Sequence, residues 1–282
     1  MYILKAENEY KNIINLTAHK GYVITSIEGL NPPGAIINKT KNAAEDGSVL
    51  NSTSLDDRQV IITLNINTPV EKNRLELYKY FRSGKSVKLY YKNDTRDVSI
   101  EGIVQNFTVD YFAKKQVGQI TIDCTNPYFK GLAQEVETLS KVDNLVEFPL
   151  SIEEDTPIAF SEVSNNNLHI LNSGEVETGF EVQIHAVETV SNPVIYNMET
   201  GKYFGVAVTL GAGDSLIINT KKKEKEVLLQ AGISSISVAS KIITGSTWLE
   251  LIPGANELSV NFVGNPEGLY STFTVDSLYL GV

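Results

Sequence analysis

"QITIDCTNPYFKG" (residues 119–131) is the stretch on which the organisation of the chain turns. Ile120, Ile122 and Cys124 alternate with Gln119, Thr121 and Asp123, the period-two pattern of a strand with one buried face. Asn126-Pro127 then ends the strand, because proline has no N–H to offer the ladder. Tyr128 and Phe129 follow, placed to cover the exposed end of a core. Cys124, the single cysteine, is the obvious candidate nucleophile. A catalytic thiol needs a base and a partly exposed, electropositive setting. Cys124 instead shares a face with two isoleucines and has Asp123 beside it, so it reads as a buried apolar residue. The stretch is expected to close one domain and open the next.

The charge balance changes just after this seam. Residues 1–132 carry 17 Lys and Arg against 14 Asp and Glu, whereas 133–282 carry 7 against 20. Such a shift marks a domain boundary and suggests that the two parts face different partners. Two domains, 1–132 and 133–282, are expected, and 282 residues give each an ordinary size and its own core. The net charge of −10 weighs against nonspecific nucleic-acid binding, which relies on Lys and Arg to neutralise phosphates, and no sequence-specific nucleic-acid binding is expected. One cysteine excludes an intrachain disulfide framework and structural zinc fingers. "MYILKAENEYKNIINL" has no apolar run of signal-peptide length, and no segment approaches the ~20 apolar residues of a membrane span. Cytoplasmic folding without membrane insertion is the expectation.

Working outward from the seam, most segments read as strands. "SVKLYY" (86–91) and "RDVSIEGIVQNFTVDYF" (96–112) precede "QVGQITIDC" (116–124), with an exposed hairpin tip at "AKKQ" (113–116). Gly102 is expected to mark a bulge or a close backbone approach. In "RQVIITLNI" (58–66), Val60, Ile62, Leu64 and Ile66 share a face. One helix stands out at 68–84, with Thr68 as N-cap, Pro69 at the first helical position and Glu71 completing a capping box. Val70, Leu77, Tyr78 and Phe81 form its apolar face, and Gly84 is placed to terminate it. The stretch 30–56 reads as a long polar loop with a turn at Asp46-Gly47, and a loop of that length is usually functional.

After residue 132, short strands separated by turns every 8–15 residues indicate an antiparallel β-sandwich. "LGAGDS" (210–215) lacks the strand-then-helix setting of a phosphate cradle and reads as a tight turn. "KKKEKE" (221–226) reads as a solvated hairpin tip. The fold class is therefore mainly β: a β-sandwich-like first domain with one α-helix, then an antiparallel β-sandwich.

No chemistry rises from the remaining residues. His19, His169 and His185 have no third ligand or HxH spacing, so no metal site is expected, and no cofactor-binding motif is present. The abundant carboxylates give no pair with a reason to sit at glycosidase separation. Trp248 could be a sugar-stacking platform, against its reading as a core or edge residue. No catalytic residue is assigned, and ligand-binding residues stay unassigned.

The order of elements carries more information. "EDGSVLNSTSLDDRQVIITLNI" (45–66), "RLELYKYFRSGKSVKLYYKNDTRDVSIEGIV" (74–104) and "QITIDCTNPYFKG" resemble the distal tail protein family of phages that infect Gram-positive bacteria. "LNSGEVETGFEVQI" (171–184), "NPVIYNMETGKYFGVAVTLGAGDSLIINT" (192–220) and "STWLELIPGANELSVNFVG" (246–264) are similar to that family's C-terminal domain, and "KVDNLVEFPLSIEED" (141–155) to its linker and first strand. The resemblance implies a non-enzymatic tail-tip or baseplate protein of the virion. Its first domain would build a homohexameric ring between tail tube protein and tail-tip hub protein. Its second domain would be galectin-like and offer a docking point for a receptor-binding protein. A cell-wall carbohydrate-binding module on an assembly domain is the alternative.

Overall fold

The alternating segments become the strands of two separate cores. A computed structural model describes residues 2–43, 46–140, 142–144, 161–163 and 167–282. The chain divides into one unit of Met1–Leu132 with Leu278–Val282 and a second of Ala133–Ser277. The last five residues, expected with the second domain, belong to the first because their backbone and Tyr279 are bound there by Leu30, Arg58 and Arg96.

In the first unit the chain runs β1 (Ile3–Asn8), β2 (Ile13–Asn15), β3 (Tyr22–Glu28), β4 (Ala35–Thr40), β5 (Val49–Leu55), β6 (Arg58–Ile66), α1 (Val70–Tyr80), β7 (Ser86–Lys92), β8 (Asp97–Val109), β9 (Gln116–Cys124) and the start of β10 (Phe129–Ser140). Antiparallel pairing gives the order β2-β1-β7-β8-β9-β6-β3, with β10 also meeting β8 at Lys130 and Gly131. The alternation works as the sequence requires. Val60, Ile62, Leu64 and Ile66 of β6 are buried, as are Ile120, Ile122 and Cys124 of β9. Leu77 and Phe81 of the helix segment complete this core.

Two local expectations change. The capping box does not form, because Pro69 is still extended and occupies the N-cap position, which puts Glu71 too early to reach back to Thr68. Buried Asn73 ties that end to the preceding chain instead, its amide donating to the Asn67 carbonyl at 2.9 Å. The helix also stops at Tyr80, with the Phe81 N–H on the Leu77 carbonyl. Gly84, at φ 77°, lies beyond that cap, and its N–H donates to the Val104 carbonyl at 2.7 Å.

β11 (Val142–Asn144) pairs with β12 (Ser161–Val163); the rest of the expected linker and first strand at 141–155 lies outside the described residues. The second unit then runs β13 (Asn167–Asn172), β14 (Phe180–Ala186), β15 (Val190–Asn197), β16 (Tyr203–Gly205), β17 (Thr209–Leu210), β18 (Ser215–Asn219), β19 (Glu226–Ala231), β20 (Ser234–Ser237), β21 (Gly254–Val263) and β22 (Leu269–Tyr279). One layer is ordered β22-β14-β18-β19-β20, and the other has β13-β21-β15 with β16 and β17 on β15. Phe180, Val182, Ile184, Ile218 and Phe273 of the first layer and Ile170, Ile195, Phe204, Leu258 and Val260 of the second belong to one buried core. Trp248–Glu250 lie before β21, which begins at Gly254 directly after Pro253.

Candidate functional site: an exposed hairpin arm and its anchor

The residues weighed for chemistry do not converge. Cys124 is fully buried, and burial pushes its thiol up to about 12 despite the neighbouring Arg58. His19 accepts the Gly21 N–H through Nδ1 at 3.0 Å and stacks on Tyr22. His185 bonds Ser215 Oγ at 2.9 Å beside Tyr270, and His169 lies on β13 opposite Glu257. Among the described residues no three His, Cys, Asp or Glu side chains gather as metal ligands. The half-buried Trp248 ring packs on Phe204, centroids 4.7 Å apart, and Lys225 Nζ lies 5.2 Å from its centroid, so those contacts compete with a sugar. "LGAGDS" is a turn closed by Asp214, which accepts the Gly211 N–H at 2.8 Å. "KKKEKE" is less solvated than expected: Lys221 turns inward to Asp276 at 2.6 Å, side chains 16% and 5% exposed.

What the first unit presents is an arm. The segment expected as a polar loop forms a β-hairpin, with β4 and β5 paired from Ala35↔Leu55 to Thr40↔Val49 as a sheet of their own. Every residue of both strands is exposed. A bulge opposite Asn38–Lys39 sorts the side chains into two unlike faces. One face carries Asn38, Ser52, Asn51 and Thr40, joined by the Asn38–Ser52 and Asn51–Thr40 hydrogen bonds of 3.0 and 2.7 Å, with Ile36 and Val49 beside them. The other carries Ala35, Ile37, Leu50 and Leu55 together with Lys39 and Thr53; Ile37 is 58% and Leu50 60% exposed. An isolated two-stranded hairpin is marginal in water, and exposed apolar residues on one make it a candidate contact surface.

The arm springs from a buried arginine. Arg58, at the head of β6 opposite Cys124, is 3% exposed. Its Nε donates to the Pro127 carbonyl at 2.7 Å, Nη1 to those of Gly29 and Asn31, and Nη2 to that of Leu280 at 2.6 Å. The guanidinium also lies 4.6 Å from the Phe129 ring centroid. A second projection is the β8–β9 tip. There Tyr111 is held by Tyr78 at 2.8 Å between hydroxyls and by Arg74 over its ring, while Phe112 stands fully exposed.

Two family models divide the chain between them: "Phage tail protein RIFT-related domain" matches residues 12–124, and "Siphovirus-type tail component, C-terminal domain" matches 173–274. The chain belongs to the phage distal tail protein family. The fold agrees. The SPP1 Dit (gp 19.1) protein, described as a paradigm of hub adsorption apparatus in Gram-positive infecting phages, superposes with a TM-score of 0.69 at 12% identity, covering 98% of both chains. A chain of the phage P2 baseplate in its activated conformation with Ca gives 0.55 at 11% identity, and one with Sr gives 0.52 at 11%, each covering 98% of both chains. No curated protein matches by sequence. As a distal tail family member the chain is a structural component of a phage tail or baseplate, located in the tail of the virion.

Sequence reasoning placed a functional loop at 30–56 but missed its strands, and it missed Arg58 altogether. The signal for the strands was there, in "AIINKT" and "VLNSTS", two β-prone runs around a turn. Arg58 has no such signal.

Proposed function

We propose that six copies of this chain close into a ring through the first unit, with the apolar face of each β4–β5 arm laid on the neighbouring copy. The carrying observation is the arm itself, a two-stranded sheet with Ala35, Ile37, Leu50 and Leu55 on one exposed face. A heterologous contact repeated by rotation closes a ring, and a projecting arm is a natural half of such a contact. One side of the ring meets tail tube protein and the other the tail-tip hub protein. The second unit, the acidic and galectin-like module that the family resemblance implies, docks a receptor-binding protein. The role is structural, with no catalytic step, no cofactor, no membrane insertion and no sequence-specific nucleic-acid binding, and assembly takes place in the host cytoplasm.

Light scattering over a concentration series, with negative-stain imaging of the largest species, tests the ring. The wild type is expected to reach the hexamer mass and show a central hole. Ile37→Asp with Leu50→Asp is expected to give a folded monomer of unchanged melting temperature. A wild-type monomer at high concentration, or a double variant that still assembles, refutes the arm's role.

A further inference from the structure

We infer that Arg58 is a positioning residue for the arm: it fastens the arm's root to the two segments where the chain passes between its units. Its four acceptors come from three places far apart in sequence. Gly29 and Asn31 lead into β4, Pro127 precedes the passage into the second unit, and Leu280 follows the return. Only arginine suits this geometry. Its planar fork sends N–H groups in several fixed directions, whereas a lysine ammonium is a point with three donors. Each acceptor is a backbone carbonyl rather than a carboxylate, so the site fixes chain paths.

The segment Leu278–Val282 is the second half of the fastening. The Val282 N–H donates to the Leu30 carbonyl at 3.2 Å, and the Arg96 guanidinium lies 4.1 Å from the Tyr279 ring centroid. Gly281 runs so close to the arm's root that a Cβ there would stand 3.0 Å from the Leu30 carbonyl oxygen and 3.3 Å from Pro32 Cδ. The Asp56 N–H closes the other strand of the root on the Gly34 carbonyl at 2.9 Å. Every residue of β4 and β5 is exposed, and these contacts hold the arm at its base. Losing the base leaves β4 and β5 hinged about 29–34 and 56–57.

The positioning stands on these contacts alone; its consequence for assembly rests on the ring proposed above. Hydrogen exchange followed by mass spectrometry separates the two when run at a concentration where the protein is monomeric. In Arg58→Met, peptides carrying the Asp56 and Val282 amides are expected to exchange at least ~10-fold faster, while β9 amides such as Thr121 keep their wild-type rate. Arg58→Lys is expected to recover only part of the protection. Unchanged exchange at the root overturns the inference. So does equal loosening of β9, which would make Arg58 a general core residue.

If Arg58→Met does not fold, Gly281→Val alters no fully buried residue of the first unit's core and pushes the segment off Leu30. Faster exchange at Asp56 as well as Val282 then supports the fastening, and faster exchange at Val282 alone overturns it. Light scattering at high concentration adds the assembly readout, where both variants are expected to lose the oligomer with Ile37 and Leu50 intact. A monomeric wild type would refute the ring and leave the exchange result to judge the anchor.

Discussion

Gly102→Ala is a test in which the sign of the effect is the argument. Gly102 sits within β8, outside the left-handed region, so alanine fits its backbone. On backbone entropy alone the change would stabilise by about 0.4–1 kcal/mol. The neighbouring strand reverses that. A Cβ at Gly102 would stand 2.6 Å from the Asp123 carbonyl oxygen, 2.7 Å from Cys124 Sγ and 2.8 Å from Ile122 Cγ2. The first of these is backbone in the β9 ladder and cannot swing away. Overpacking of this kind costs about 1–3 kcal/mol, and three contacts under 3.0 Å, one of them to backbone, place it near the upper end, so after the entropic gain the net expectation is a loss of about 2 kcal/mol. At about 2–4 °C per kcal/mol the first unit's melting temperature falls by about 4–8 °C. Far-ultraviolet circular dichroism follows the whole chain, while emission of Trp248, the single tryptophan, reads the second unit and should not move. Adding Cys124→Ala removes the Sγ contact and should recover part of the loss beyond additivity. A Gly102→Ala protein as stable as the wild type, or more so, would refute the close approach of β8 to β9.

Asp276→Ala should cost the second unit about 3–5 kcal/mol, because it strands the inward-turned Lys221 ammonium and also removes the Gln134 hydrogen bond of 2.7 Å. Urea melts read at Trp248 measure this. Replacing the pair by Lys221→Met with Asp276→Leu should restore most of the loss, and a full-size loss in that double variant would contradict the stranded-charge explanation. Cys124 should resist iodoacetamide at pH 8 in the native protein and react within minutes once the chain is unfolded; fast native labelling would place the thiol outside the core. The same thiol contributes to alkaline sensitivity. Its native pKa is raised to about 12 from an ordinary 9, so the native state holds the proton more tightly. That contribution is intact below about pH 9 and is lost as pH rises towards 12, where the unfolded thiol ionises and the buried one does not. Cys124→Ala should therefore lose less stability between pH 9 and 11 than the wild type, measured by urea midpoints.

The parts of this fold that were legible are those whose partners lie in the same chain. β6 and β9 alternate because each buries one face, and the pattern could be read residue by residue. Gly102 was legible for the same reason: a glycine inside a strand asks for close approach or a bulge, and Cys124 and Asp123 supply the approach. The bulge in that hairpin lies between Val104 and Asn106 instead. Signals that depend on one backbone angle were less secure. Pro69 in an extended conformation moved the helix start by one residue and dissolved a capping box whose residue types were all in place. Lys221 looked solvated within a run of charges, because nothing local shows that Asp276, 55 residues on, turns it inward.

The arm and its anchor were hidden for two different physical reasons. Periodicity in a strand records burial, and no residue of β4 or β5 is buried among the described residues; Ile36 and Ile37 are adjacent and both exposed, so neither face prints a clean pattern. In the ring proposed above their apolar side chains meet a neighbouring copy, a surface that no alternation within this chain records. Arg58 was hidden because its acceptors are backbone carbonyls, and a carbonyl has the same chemistry whatever side chain it belongs to. A salt bridge can be guessed from charges on facing strands, whereas a cation held by Gly29, Asn31, Pro127 and Leu280 leaves no compositional trace. The two blind spots meet at one place, the base of the arm. Substitutions there chosen for conservative chemistry, Arg58→Lys first among them, should disturb the arm more than polar changes along its hydrogen-bonded face.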